Sequence, residues 1–413
     1  VADSENDEYV INLNNGTYQI TSNVNLNNGT YTPKITINAN QQTLTADSTN
    51  RILYFRTGCD ITINDATISH RIINYNKMTL NNVVLNAQFS NNAVDSELEI
   101  TNSTLNTTIG NSGKLTIDDK TTATENFKIS ASQGCTLSTN NQNITDTLKA
   151  NNCYVGETRI ENATITQIST SIQNLGNTVI VNSTLAAIYN YGNLTLINCS
   201  IVKGSLTYGS YNYGNMTIKD STIDFKFENR NVGRITSINT TWKAQLTQQG
   251  FLEFINSTAT VSLQNRGNMI FNNSTYYQIN NPANANMTLT NTVLSNLKDN
   301  TNYINNNGVL TITDDVVFCD GFRIEGGGII NYSDMEVLKY YLRDYNGTYT
   351  IENTTFSGVM KKNWGNLTYI NVTLNTRLDN HGNLILHNVT LNGEMYNYGN
   401  LTICDDVIIG ENF

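Results

Sequence analysis

The sequence predicts an all-β chain: a right-handed parallel β-helix (a β-solenoid) with about 17–23 residues per turn and roughly twenty turns. Three observations predict it. A short phrase recurs, NYGNLTLINCSI at 190–201, NYGNMTIKDSTI at 212–223 and NYGNLTIC at 397–404. The glycine inside it recurs too: Gly365, Gly382 and Gly399 are 17 residues apart. Gly113, Gly176, Gly192, Gly214, Gly233, Gly250, Gly267, Gly308 and Gly347 hold equivalent places at spacings that stretch to the low twenties. Finally, the residue six after the glycine is Asn or Asp in almost every copy, from Asp119 and Asn182 to Asn388 and Asp405.

Each element of the repeat follows from its columns. Two and four residues after the glycine the side chains are apolar (Leu194 and Leu196, Met216 and Ile218, Leu384 and Leu386), with Thr often between them. This period of two is a strand with Leu or Ile inward and Thr outward. The Asn six after the glycine marks a corner, because Asn tolerates left-handed backbone and can bond to its copies on adjacent turns; these corner amides are expected to be buried in their ladder. A third apolar column, nine after the glycine (Leu185, Ile201, Ile223, Trp242, Leu391), opens a second strand. A second Asn column two before the glycine (Asn174, Asn190, Asn212, Asn265, Asn363, Asn380, Asn397) closes a third. No window shows a helical stripe. Residues 1–50 read as an off-register N-terminal cap with the first turns, and 51–413 as one continuous β-helix with no C-terminal cap visible. Stacking at ~4.8 Å per turn implies a rod on the order of 100 Å long, stabilised by interfaces between neighbouring turns.

Composition narrows the function classes. Apolar residues make up 38% and charged residues 14%, a polar but weakly charged chain unlike most disordered segments. The formal charge of −10 is spread thinly and forms no basic stripe, which argues against nucleic acid. No apolar run approaches the ~20 residues of a membrane span. The 6 cysteines form no CxxC pair, so no zinc site is expected. Cys135 and Cys153 lie about one repeat apart and could close a disulfide between neighbouring turns; a buried column of free thiols is the alternative.

Candidate chemistry is thin. The acidic pairs Asp118/Asp119, Asp314/Asp315 and Asp405/Asp406 fall at the corner column, where a carboxylate replaces a carboxamide, so a structural role outweighs a catalytic one. His381 and His387 are six apart, which is no metal-binding spacing. No catalytic residue, metal or cofactor is assigned. The residue between the second Asn column and the glycine is more suggestive: Tyr191, Tyr213, Arg266, Trp364, His381 and Tyr398, with Tyr75 in a similar place. Flat side chains at turn spacing would form an edge ladder, able to meet the C–H faces of sugars or simply to stack on one another. Asn-x-Ser/Thr sequons abound because the repeat itself generates them, and Asn15, Asn28, Asn143 and Asn331 are the better glycosylation candidates.

The unit YNYGNLTI-x-N-x-T-[IL], the LTI-x-DDV blocks at 310–318 and 401–409, and the lead-in ITINANQQTLTADSTNRILYF resemble the adhesin-like surface proteins of methanogenic archaea, with their pectate-lyase-like β-helices. The resemblance covers essentially the whole chain. It implies export, an extracellular or cell-surface location, and attachment to glycans or proteins of another cell. A structural subunit of a surface filament or layer, self-associating end to end, is the alternative; a polysaccharide lyase or hydrolase comes third.

Overall fold

The computed structural model describes residues 8–26, 33–56, 58–132, 135–165, 172–204, 209–294, 303–318, 322–404 and 406–410. With 57% strand and 4% helix it is a parallel β-solenoid of about 17 turns, close to the number expected. The chain divides into two compact units, Val1–Met216 and Thr217–Phe413.

In the first unit three parallel sheets run side by side, each turn giving one strand to each sheet. The first sheet takes the long strands, Glu8–Asn12, Lys34–Asn38, Asp60–Asn64, Lys77–Asn81, Glu97–Thr101, Lys114–Ile117 and Thr136–Thr139. The N-terminal strands expected to be off-register are in register with the rest: Ile35 stands opposite Ile61, and Ile61 opposite Met78. A later strand, Asn193–Ile197, shows why the sequence folds this way. Leu194 and Leu196 are buried while Asn193 and Thr195 face out, so a one-residue slip would expose both leucines.

The structure also contains helices that the sequence did not announce. Helix α1 (Gln142–Ala150) interrupts the first unit, capped by Asn141 Oδ1, which accepts from Ile144 N at 3.3 Å. Its buried residues are Ile144 and Leu148, one turn apart, packed into the core with Phe127 and Ile129. Beside the interruption the side chain of Gln173 substitutes for a strand. Its amide donates to Ile129 O at 3.2 Å and accepts from Ala131 N at 3.1 Å, so the edge carries no orphan groups there.

The second unit repeats the plan, with long strands from Arg234–Ile238 through Ile329–Asn331 and again from Thr348–Glu352 to Asn400–Ile403. Its core holds an aromatic chain: Phe227 and Trp242 with centroids 5.6 Å apart, Trp242 and Phe254 at 5.9 Å, Phe254 and Phe271 at 4.9 Å. Trp242 is wholly buried, which its Nε1 tolerates by donating to Ser237 Oγ at 2.9 Å. Helix α2 (Met335–Leu338) and a 3₁₀ turn (Lys339–Tyr341) separate the two stacks of sheets in this unit, and an isolated parallel bridge between Ile324 and Leu342 spans the gap. Lys361 lies buried behind that bridge. Its Nζ donates to Leu342 O at 2.7 Å and lies 4.2 Å from the centre of the Phe356 ring.

Candidate functional site

Four columns of the repeat build the edge of the coils, and the structure assigns their roles. The glycine column is set by space. A Cβ on Gly382 would stand 2.1 Å from Gly365 O, and one on Gly399 2.2 Å from Gly382 O, so the backbones of successive turns touch there. The Asn column two before the glycine is the buried one. Asn363 Nδ2 donates to Asn380 Oδ1 at 2.7 Å, and Asn380 Nδ2 to Asn397 Oδ1 at 2.6 Å. In the first unit Asn174, Asn190 and Asn212 repeat the pattern at 2.7 Å per step. Each donor also reaches a backbone carbonyl of the next turn, as Asn190 does to Asn215 O at 3.0 Å.

The corner column, six after the glycine, corrects the expectation of burial. Asn182, Asn198, Asn353, Asn371 and Asn388 adopt the left-handed backbone expected of them, with φ near 50°, but they are exposed. Their amides still form a ladder, Asn388 donating to Asn371 at 2.7 Å and Asn371 to Asn353 at 3.0 Å. The physical reason is direction: a left-handed residue at an outer corner turns its side chain away from the core. Two members of the acidic pairs are tied into the corners by hydrogen bonds. Against the opposing cost of burial, the Thr121 hydroxyl first and then the backbone N–H groups of Asn102 and Thr121 donate to Asp118 and hold its carboxyl below the usual range. Asp315 is held low by the Asn291 backbone and by Thr313; Asp405 lies outside the described residues.

Between the buried Asn and the glycine sits the edge ladder, and the structure forms it in pieces. In the first unit Tyr191 and Tyr213 stack at 5.2 Å with planes 2° apart, and Tyr191 OH donates to Ala131 O at 2.8 Å. Burial pushes the Tyr191 phenol up. Tyr75 lies half-buried under the Arg56 guanidinium, 5.1 Å from its ring centre. In the second unit Arg266 is exposed, and Trp364, His381 and Tyr398 form a three-turn stack. Ring centroids there are 4.1 Å and 4.8 Å apart, with planes 9° and 12° from parallel. Trp364 is 52% and Tyr398 66% exposed. His381 is covered on both faces, and Trp364 and Tyr398 on one each, so along its side the stack presents indole N–H, imidazole nitrogen, phenol O–H and the C–H rims between them. Tyr396, 41% exposed, stands beside it with the Arg377 guanidinium 4.3 Å over its ring.

The remaining site expectations fall as follows. Cys135 and Cys153 are free, buried thiols, so the bridge considered between them is not made; burial pushes Cys135 up to about 11 and Cys153 further. Cys59 and Cys199 are also buried, and Cys319 lies outside the described residues. Asn15 and Asn331 are exposed; Asn143 is exposed on α1 but accepts from Ala123 N at 3.0 Å; Asn28 lies outside the described residues. One contact went unread in the sequence: Cys404 Sγ lies 3.6 Å from His387 Nε2. Its signal was a spacing of 17 residues, one turn, between the two. Among the described residues no helix is long and apolar enough to cross a membrane. No family model and no curated protein matches the chain.

Proposed function

We propose that this chain is an extracellular, cell-surface adhesin-like protein that attaches to glycans of another cell through the outward edge of its coils, without catalysis. One observation carries the reading: the exposed stack of Trp364, His381 and Tyr398 on three successive turns. Large rings left in water forgo burial worth roughly 1.5–3 kcal/mol for a Phe-sized side chain. Here they are also pre-ordered by stacking, worth about 0.5–1.5 kcal/mol per pair, so little side-chain entropy remains to be lost on binding. Their edges alternate hydrogen-bonding atoms with C–H rims, the two features that a sugar's hydroxyls and apolar face recognise. The likeness of the repeat to adhesin-like surface proteins of methanogenic archaea agrees with this reading. Surface glycosylation at Asn15 and Asn331 would fit the same location.

The experiment is a glycan array and polysaccharide affinity electrophoresis with the wild type, Trp364→Ala and Tyr398→Ala, each checked for an unchanged far-UV spectrum. Retardation by at least one polysaccharide, lost in both variants, is expected. Equal retardation of all three proteins would remove the stack from the binding site. Shortening of the polysaccharide would replace attachment by an enzyme.

A further inference from the structure

The Cys404–His387 contact lies outside the edge stack and is not needed by the reading above. His387 ends the strand Asn383–His387, and Cys404 follows the strand Asn400–Ile403. The backbone fixes both: Cys404 N donates to Leu386 O at 2.9 Å, and Asn371 N to His387 O at 3.0 Å. His387 is exposed and Cys404 half-buried, whereas Cys59, Cys135, Cys153 and Cys199 are buried. The pair therefore stands on backbone held in the ladder, is open to solvent, and is composed of two side chains common on zinc.

Its spacing fits a metal. A tetrahedral ion with bonds of ~2.3 Å to sulfur and ~2.0–2.1 Å to nitrogen holds those two atoms about 3.5 Å apart. The observed Sγ to Nε2 distance is 3.6 Å, so no strand need move to admit the ion. We infer that Cys404 and His387 form a two-ligand site for a borderline-soft divalent cation, Zn(II) above all, held by the thiolate and by Nε2. Binding releases the thiol proton to solvent and uses the lone pair of Nε2. Among the described residues no group of three His, Cys, Asp or Glu comes together. Water completes the coordination, and the ion exchanges more readily than from the three- or four-ligand sites of resident zinc.

The test uses Co(II) as a spectroscopic probe of the intact chain, with Cys319→Ser as a control for the cysteine outside the described residues. A thiolate-to-cobalt charge-transfer band is expected in the wild type and in Cys319→Ser, with loss of the band in Cys404→Ser and in His387→Asn. A band surviving in either of the last two variants overturns the site. Independently of any variant, Zn(II) should slow alkylation of Cys404 by iodoacetamide, read by peptide mass mapping. An alkylation rate unchanged by Zn(II) overturns it equally.

Discussion

Replacing Lys361 by Met should reverse the order of stability between variant and wild type as pH rises. The Lys361 ammonium is almost wholly buried, and desolvation, partly opposed by the nearby Asp344 carboxylate, brings its pKa from 10.5 down to about 7. The unfolded chain keeps that proton up to pH 10.5, so between about 7 and 10.5 it binds more protons than the native state. Stability of the wild type therefore rises with pH across this window, by about 1.4 kcal/mol per unit, and the full penalty, roughly 4–5 kcal/mol, is present below pH 7. Met removes the charge but leaves the carbonyl of Leu342 without its donor, a loss of about 1–3 kcal/mol that does not depend on pH. The variant should be the more stable by about 1–4 kcal/mol at pH 6 and the less stable by about 1–3 kcal/mol above pH 10.5. Urea unfolding of both proteins at half-unit steps from pH 6 to 11 reads the difference directly. A difference that stays flat over the series would refute the argument, because it would mean that Lys361 is charged in both states or in neither.

Asn190→Ala leaves two buried partners, Asn174 Nδ2 and Asn212 Oδ1, and the part-buried Asn215 O short of a bond, and should lower stability by about 3 kcal/mol by calorimetric melting. Asn388→Ala at an exposed left-handed corner (φ 49°) should cost only about 1–2 kcal/mol, and Asn388→Gly a few tenths, so the two ladders separate in one melting series. Gly382→Ala should open the coils around it to limited proteolysis, since its Cβ would lie 2.1 Å from Gly365 O; a protease-resistant variant would mean that the turns can part there. Under Ellman's reagent Cys135 and Cys153 should stay silent until the chain unfolds, while Cys404 reacts in the native state.

What the sequence made legible is what repeats. Turns stack on near-copies of themselves, so the columns of Leu194 and Leu384, of Gly382 and of Asn380 could be read without long-range information. The two Asn columns were found, yet the corner column was expected to be buried and is exposed, while the burial of the other was not foreseen. Both make amide ladders, and composition alone does not tell an inward Asn380 from an outward Asn388. The helices were missed because they do not repeat: α1 rests on one apolar pair, Ile144 and Leu148, too short to register as a stripe. Lys361 escaped for the same reason, since its burial depends on the bridge at Leu342, where the sheets are interrupted. The edge column was read from the repeat, but only distances show which of its rings meet, Tyr191 with Tyr213 and Trp364 with His381 and Tyr398.

The chain's 2 tryptophans make the stack itself observable. Trp242 is fully buried and Trp364 is 52% exposed, so acrylamide quenching of the native protein reports Trp364 almost alone. In the presence of a retarding polysaccharide, the attachment reading predicts that quenching falls toward that of the Trp364→Phe variant. A polysaccharide that binds while leaving Trp364 as accessible as before would contradict it and move recognition off the Trp364–His381–Tyr398 edge.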